Sequence, residues 1–298
     1  MPELPEVETI RRGLNKFILK HQIISIDVLC QKSFIGEPVT GKVKGLRRFG
    51  KALIIDLDNG ISLMVHLRMT GQLIFDGKER YAAGHPSDNF TAKLPNRQTR
   101  VVLKFDNGTL YFNDQRKFGF IKVLPTSEVE NDDFIEKLAK ESWQMTADEL
   151  YAKLQKHSKS CIKATILDQT IICGLGNIYA DESLFAAGIH PARLSGTITK
   201  SETTELLEAA RDVMNRSIAS GGSTMATYVK ADGTKGDYLE KFAQVFRREG
   251  KKCPRCGATI EKIKIAGRGT HICPHCQKLS VKANSSACYS AERTSKND

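Results

Sequence analysis

The chain has 298 residues, of which 40% are apolar, enough to pack one large domain or two moderate ones. Lys and Arg number 45 against 34 for Asp and Glu, giving a net charge of +11 and an isoelectric point near 9.2, a balance suited to a polyanion, a solvated basic face or an anionic membrane surface. No apolar run reaches the length of a spanning helix and the acidic start reads as neither signal nor transit sequence, so a soluble, intracellular, cytoplasmic protein is expected.

The opening Met1-Pro2-Glu3-Leu4-Pro5-Glu6-Val7-Glu8 carries the most chemistry. Removal of Met1 would expose the ring nitrogen of Pro2 as a secondary amine beside Glu3 and Glu6. An α-amino group titrates near about 8, well below lysine, so far more of it is neutral and nucleophilic at neutral pH. Attack on an aldehyde-level carbon by such an amine gives an iminium, an electron sink for a following elimination. Pro5 and Glu8 equally suit an ordinary helix start. Val7, Ile10, Leu14, Phe17 and Ile18 recur at helical spacing and predict an amphipathic helix over residues 5–19.

From Gln22 to Leu124 the texture is strand-like. Ala52–Leu57 and Ile61–His66 flank Asp58-Asn59-Gly60, and residues 101–105 and 109–113 flank Asp106-Asn107-Gly108. Asn-Gly is the strongest short hairpin signal, and it predicts positive φ at both central residues. Residues 76–96, rich in Gly, Pro, Asp and Asn, read as a long loop. After Glu128 the pattern turns helical, with helices expected over residues 134–141, 147–156, 162–172, 177–187 and 201–219. Residues 222–236 are a polar, Gly-rich loop, and beyond Leu279 a Ser, Ala and Lys-rich tail is expected to be disordered. The resulting domains are residues 1–128, 129–236 and 237–279, followed by the tail, 280–298.

Cys253-Pro-Arg-Cys256 and Cys273-Pro-His-Cys276 are separated by sixteen residues, the spacing of a four-cysteine zinc ribbon. Four protein ligands leave no open position, so one structural Zn2+ ion is expected. The insert, with Lys262, Lys264, Arg268 and His271 around Gly267 and Gly269, reads as a β-finger presenting Arg268 to nucleic acid. The other cysteines, Cys30, Cys161, Cys173 and Cys288, are scattered, which fits a reducing cytoplasm better than a disulfide framework. Gly174-Leu175-Gly176-Asn177 lies between two expected helices, where tight packing is the usual explanation. Lys159 and Lys163 just upstream favour a phosphate site instead. His66-Leu67-Arg68-Met69-Thr70-Gly71 and Asp114-Gln115-Arg116-Lys117-Phe118-Gly119 each set a bulky side chain beside basic residues at a strand exit. Such wedges fill the gap when a base leaves the duplex, although Met69 and Phe118 also suit a core. Lys51 follows Arg47-Arg48-Phe49-Gly50 at a strand start, where a solvated lysine is the default.

Taken together, PELPEVET, RRFGK, HLRMTG, DQRKFG, GLGNIYADE, GGST and AGRGTHICPHCQ, in that order from Met1 to about Lys278, resemble formamidopyrimidine-DNA glycosylases. The resemblance implies an α+β protein: an N-terminal β-sandwich with a leading helix, a helix-two-turns-helix domain and a C-terminal zinc-finger hairpin. It implies a bifunctional glycosylase and lyase, acting as a monomer on damaged double-stranded DNA held between its two halves. Pro2 would attack C1′ of the damaged nucleotide, Glu3 would assist sugar ring opening, and Glu6 would support the amine. Lys51 would assist base release and β-elimination, and Arg268 δ-elimination. Met69, Arg116 and Phe118 would fill the void of the flipped base, with Arg116 facing the orphaned cytosine. Asn177, Lys163 and Lys159 would hold phosphates. A loop containing Ser223, Thr224, Met225, Ala226, Thr227 and Tyr228 would read the oxidised purine.

Departures from the family pattern are Gln98 in place of a phosphate-binding histidine, Ala226 where a basic residue is common, Phe246-Arg247-Arg248 for Tyr-Gly-Arg, and the longer tail. Two other readings stay open. An endonuclease VIII-like enzyme for oxidised pyrimidines would typically begin Pro-Glu-Gly-Pro, whereas Leu4 stands here. A non-catalytic damage-binding protein could keep the scaffold, but Pro2, Glu3 and Lys51 argue for chemistry.

Overall fold

The computed structural model describes residues 2–85, 87, 90–222, 241–279 and 288. The expected lesion loop, 223–228, and all of the expected tail except Cys288 lie outside the described residues. The chain divides into two units, Met1–Lys137 with Ser217–Glu240 and Leu138–Arg216 with Lys241–Asp298. The finger thus shares a unit with the helices, whereas the sequence reading separates them at 236.

In the first unit, α1 (Leu4–Ile18) begins from extended Glu3 and carries Pro5 in its first turn, where a missing N–H is harmless. Its Val7, Ile10, Leu14 and Ile18 are buried, each contributing about 1.5–3 kcal/mol of transfer free energy. Ten strands follow: β1 (Gln22–Val28), β2 (Phe34–Ile35), β3 (Gly41–Phe49), β4 (Ala52–Leu57), β5 (Ile61–His66), β6 (Gly71–Gly77), β7 (Arg80–Gly84), β8 (Thr99–Phe105), β9 (Gly108–Asp114) and β10 (Phe120–Pro125). They are ordered β2-β10-β5-β4-β3-β1-β8-β9-β6-β7. Two halves of five strands join through the short pairing of Gln22 with Lys42 and Ile23 with Gly41. Ile55 and Val65 from one half and Phe75, Leu103 and Phe112 from the other share a core with α1. A short helix, α2 (Asp133–Glu136), follows the sheet.

Both expected hairpins form, but their glycines act differently from the expectation. Of Asn59, Gly60, Asn107 and Gly108, only Gly60 has positive φ, at 78°. Gly108 is required by proximity, because an added Cβ would lie 2.7 Å from both the Asp76 carbonyl and the Phe75 ring. The expected loop over 76–96 is also corrected, since β6 pairs with β7, placing Phe75 opposite Tyr81. That strand was illegible because Ala82 and Ala83 carry little strand preference.

The second unit holds α3 (Ala147–Lys156), α4 (Ile162–Leu167), α5 (Asn177–Ala186) and most of α6 (Lys200–Ala219). Thr146 and Glu149 close a reciprocal capping box on α3, each side chain accepting from the other's backbone N–H. Helix α4 ends five residues early, because the Asp168 carboxylate accepts from the backbone and hydroxyl of Thr170 and turns the chain. The finger hairpin pairs β11 (Glu261–Ile265) with β12 (Arg268–Ile272). Its two-residue turn, Ala266-Gly267, has positive φ at both positions, the geometry that suits strand twist.

Cys161 and Cys288 form a disulfide, which corrects the expectation of scattered reduced thiols and of a wholly disordered tail. Both are buried in a cluster with Ala192 and Ile265, and the Cys288 carbonyl accepts from Ala266 N at 3.0 Å. A pair separated by 127 residues leaves no local signal. Among the described residues no helix is long and apolar enough to cross a membrane.

Glu8 ties α1 to β3. Its carboxylate accepts from Arg11 at 2.8 Å, Arg12 at 2.7 Å and Arg48 at 3.3 Å. Burial pushes its pKa up, but hydrogen bonds from Arg11 and Arg12, with the charges of Arg11 and Arg48, hold it at about 2. A depressed carboxyl pKa contributes stability that is fully present above the usual value of 4.5 and is lost as pH falls towards 2. Glu8→Gln is therefore expected to cost about 2 kcal/mol at neutral pH and to flatten the acid limb of the stability profile. Denaturant melts across that pH range check this, and an acid limb identical to wild type contradicts it.

Candidate functional site

Pro2, Glu3 and Glu6 are all buried at the head of α1. The Glu6 carboxylate accepts from the backbone N–H of Glu3 at 2.8 Å, which pins the residue beside Pro2 to the first turn of the helix. Lys51, expected by default to be solvated, is only 7% exposed in the turn between β3 and β4. Arg48 donates both to Glu8 on α1 and, at 3.0 Å, to the Gly50 carbonyl, so one guanidinium binds the helix to the turn that carries Lys51. His66, the last residue of β5 and paired with Ala52 of β4, is pushed down to about 3 by burial and then by the charges of Arg68 and Lys51. It is neutral at physiological pH, and its Nδ1 accepts from Arg68 N at 3.0 Å.

A second cluster forms around Asp114, which is fully buried at the end of β9. One carboxylate oxygen accepts from the Thr70 hydroxyl and, at 3.1 Å, from Arg116 N. The other accepts from Phe118 N at 2.8 Å and Gly119 N at 2.7 Å. Thr70 in turn accepts from Arg116 N at 3.0 Å, joining the two motif loops. Gly71 is fixed by close approach, because a Cβ there would meet the Leu67 carbonyl at 2.4 Å. The Gln98 carbonyl accepts from Asp114 N, and Arg100 donates to the Asp114 carbonyl. On this frame Met69 is 40% and Phe118 50% exposed, so neither belongs to the core. The Arg116 guanidinium lies 4.7 Å from the centre of the Phe118 ring. The arrangement brings Met69, Arg116 and Phe118 onto loops that share one buried carboxylate, and Gln98 beside them through the Asp114 backbone.

In the second unit, Lys163 is fully buried, which corrects its assignment as a phosphate ligand. Its ammonium donates to Asp181 at 2.6 Å, Thr270 Oγ1 at 2.8 Å and the Gly269 carbonyl at 3.2 Å. The charge is spent inside the protein, joining α4, α5 and β12. Asp181 also accepts from His271 N at 2.9 Å. Asn177, at the start of α5, donates to the Gly269 carbonyl at 3.0 Å. Arg268 is exposed at the first position of β12, beside the finger turn. Lys159 is exposed in the turn before α4 and is not drawn into this cluster.

Sulfur atoms of Cys253, Cys256, Cys273 and Cys276 all lie within 4.8 Å of one another. A tetrahedral zinc with Zn–S distances of about 2.3 Å would set its sulfurs roughly 3.8 Å apart. The separations of 3.9 Å for Cys253–Cys276 and 3.4 Å for Cys256–Cys273 fit that geometry. Backbone N–H groups of Arg255 and Cys276 point at the Cys253 and Cys273 sulfurs, the outer-shell bonding that a thiolate site requires. The donor set fits one structural zinc ion. Arg255 fastens the knuckle to α5 by donating to the carbonyls of Phe185 and Ala186.

Asp114, Asp181 and Glu182 were not singled out as site residues, although each lies inside a quoted motif. The available signal was chemical: Asp181-Glu182 are the only acids of a helix otherwise almost wholly apolar and buried, where charge must have partners.

Residues 1–121 match the family described as formamidopyrimidine-DNA glycosylase N-terminal domain, residues 138–229 match its H2TH domain, and residues 250–279 match the zinc finger found in FPG and IleRS. The formamidopyrimidine-DNA glycosylase of Pelotomaculum thermopropionicum is 40% identical over 94% of this chain and 100% of its own length. A solved structure of the complex between Lactococcus lactis Fpg and DNA containing an abasic site superposes with a TM-score of 0.82 at 34% identity, covering 93% of this chain and all of that one. The same Lactococcus protein with DNA containing an oxidised pyrimidine gives 0.81 at 33% identity over the same shares.

Replacing Lys163 with Met would leave the Asp181 charge buried without its partner, which is expected to cost about 3–5 kcal/mol. Chemical denaturation measures the loss, and Lys163→Met combined with Asp181→Leu should recover part of it. A loss below about 1 kcal/mol, the worth of a surface pair, contradicts the assignment.

Proposed function

Because the chain belongs to the formamidopyrimidine-DNA glycosylase family, whose members are base-excision-repair DNA glycosylases, we propose that it removes 8-oxoguanine and formamidopyrimidines from duplex DNA and then cleaves the strand. The observation that carries this reading is a buried proline at position 2, next to a glutamate whose backbone is pinned by Glu6. With Met1 removed, the Pro2 nitrogen attacks C1′ of the everted nucleotide, the C1′–N bond electrons leave with the base, and the base takes up the proton that the amine loses. Glu3 delivers a proton to the ring oxygen as the C1′–O4′ bond opens, leaving an iminium between Pro2 and the sugar. Loss of a C2′ proton into that sink expels the 3′ phosphate, and a second elimination expels the 5′ phosphate. Lys51, buried in the turn that Arg48 ties to α1, assists base release and the first elimination, and Arg268 binds phosphate for the second.

Met69, Arg116 and Phe118 occupy the gap left by the base. Exposed apolar and cationic tips on a rigid frame suit that task, since a mobile wedge would lose entropy on insertion. Gln98 donates to phosphate without charge, Asn177 and Lys159 supply further phosphate contacts, and residues 223–228 read the lesion. The protein acts as a cytoplasmic monomer on damaged double-stranded DNA. The Lactococcus complex with an oxidised pyrimidine motivates a second substrate class for the same site.

Incubation with duplexes carrying 8-oxoguanine, a formamidopyrimidine or thymine glycol, in the presence of borohydride, tests the reading. The expected outcome is a covalent adduct and strand cleavage with the oxidised purines, and neither with Pro2→Gly. A processed wild-type protein that gives no adduct with any oxidised purine overturns it.

A further inference from the structure

The segment before the finger is held from within the protein. Glu182 on α5 is fully buried, and its carboxylate accepts from the backbone N–H groups of Gln244 at 2.9 Å, Val245 at 2.9 Å and Phe246 at 2.8 Å. Three charge-assisted bonds fix the chain up to the residue that follows, Arg247. Arg247 has φ of 57°, in the left-handed region where a Cβ crowds the backbone. Glycine would take that conformation without steric cost. The Arg247 side chain returns little to packing. It is exposed, its guanidinium lies 6.0 Å from the Phe246 ring, and among the described residues it has no ion-pair partner. A strained residue that adds nothing to the core points to a role outside it.

That role is indicated by the groove Arg247 lines. The groove has a volume of about 460 Å³, and Asn177, Phe246, Glu249, Lys262 and His271 also line it. Lys262 and Arg247 bring two cations, and Asn177 brings an amide side chain from the start of α5. Glu249 opposes them, but its carboxylate lies 3.5 Å from the Lys262 ammonium and 3.1 Å from His271 Nε2, so its charge is offset locally. A planar guanidinium with no ion-pair partner among the described residues, at the mouth of a net cationic groove, matches the bidentate geometry of a phosphodiester.

We propose that Arg247 is a phosphodiester-binding residue that grips one backbone phosphate of the DNA at the groove it forms with Asn177 and Lys262. The proposal rests on the reading of this chain as a DNA-acting enzyme and adds a contact on the residue where the chain departs from the family's Tyr-Gly-Arg. The left-handed backbone is the cost of aiming a long cation from a position that packing alone would give to glycine.

The test is fluorescence anisotropy of the zinc-loaded full chain with a duplex carrying an uncleavable abasic analogue opposite cytosine, across a series of KCl concentrations. Arg247→Gly is expected to weaken binding roughly five- to tenfold at low salt and to lower the slope of log affinity against log salt by about 0.9. Its thermal midpoint should equal or exceed that of wild type, since glycine relieves the strained φ. Arg247→Gln, which keeps the strain and removes the charge, should lose the same slope, and Arg247→Lys should keep it. Lys251→Ala, removing an exposed cation of the same loop outside the groove, controls for net charge and should change the slope far less. Glycine and glutamine variants that match wild type, or a Lys251 variant that matches them, overturn the assignment of Arg247 alone. Wild-type protein that fails to bind the duplex overturns the functional reading on which it rests.

Discussion

The ion pair between Lys163 and Asp181 is buried to the last few per cent of its surface, and the second unit is arranged around it. Two charges withdrawn from water cost several kcal/mol each, and attraction repays that only when every remaining donor and acceptor is satisfied. Here they are, because Lys163 also reaches Gly269 and Thr270, and Asp181 also receives His271 N. The condition is met only when α4, α5 and the finger strand β12 are in register. The pair therefore specifies where Arg268 stands relative to Asn177, and does so without touching any ligand itself.

The same device recurs with other carboxylates. Asp114 gathers the backbone N–H groups of Arg116, Phe118 and Gly119, and Glu182 gathers those of residues 244–246. In each case a buried carboxylate takes the amides of a segment that carries an exposed side chain, Phe118 in one and the adjoining Arg247 in the other. Burial pushes the Glu182 carboxyl up, while the three amides that bond it favour its charged form. Loops whose Met69, Phe118 or Arg247 is exposed are not fixed by burying those side chains. They are fixed through their backbones instead, which leaves the tips available and keeps the entropy of ordering them low.

Much of this was legible in the sequence where the signal was local. Two cysteine pairs at metal spacing, the periodicity of α1 and the strands flanking Asp58-Asn59-Gly60 each correspond to an observed element. Features that depend on tertiary approach were not. Gly108 looked like a turn glycine and is instead a point where β6 comes too close for a side chain. Lys163 looked like a phosphate ligand because spacing cannot distinguish an exposed lysine from one neutralised by Asp181, eighteen residues later. Cys161 and Cys288 looked unrelated because nothing across a sequence separation of 127 announces that the chain returns. Composition predicts what a residue can do, and packing decides whether it faces water or a partner.

The account stands on one bond, between the nitrogen of residue 2 and the anomeric carbon of a damaged nucleotide. Tandem mass spectrometry of the borohydride-reduced adduct, after proteolysis and nuclease digestion, locates that bond directly. The sugar remnant should sit on a peptide that begins at Pro2, on its ring nitrogen. A remnant on Lys51, or on any other side chain, would contradict the account.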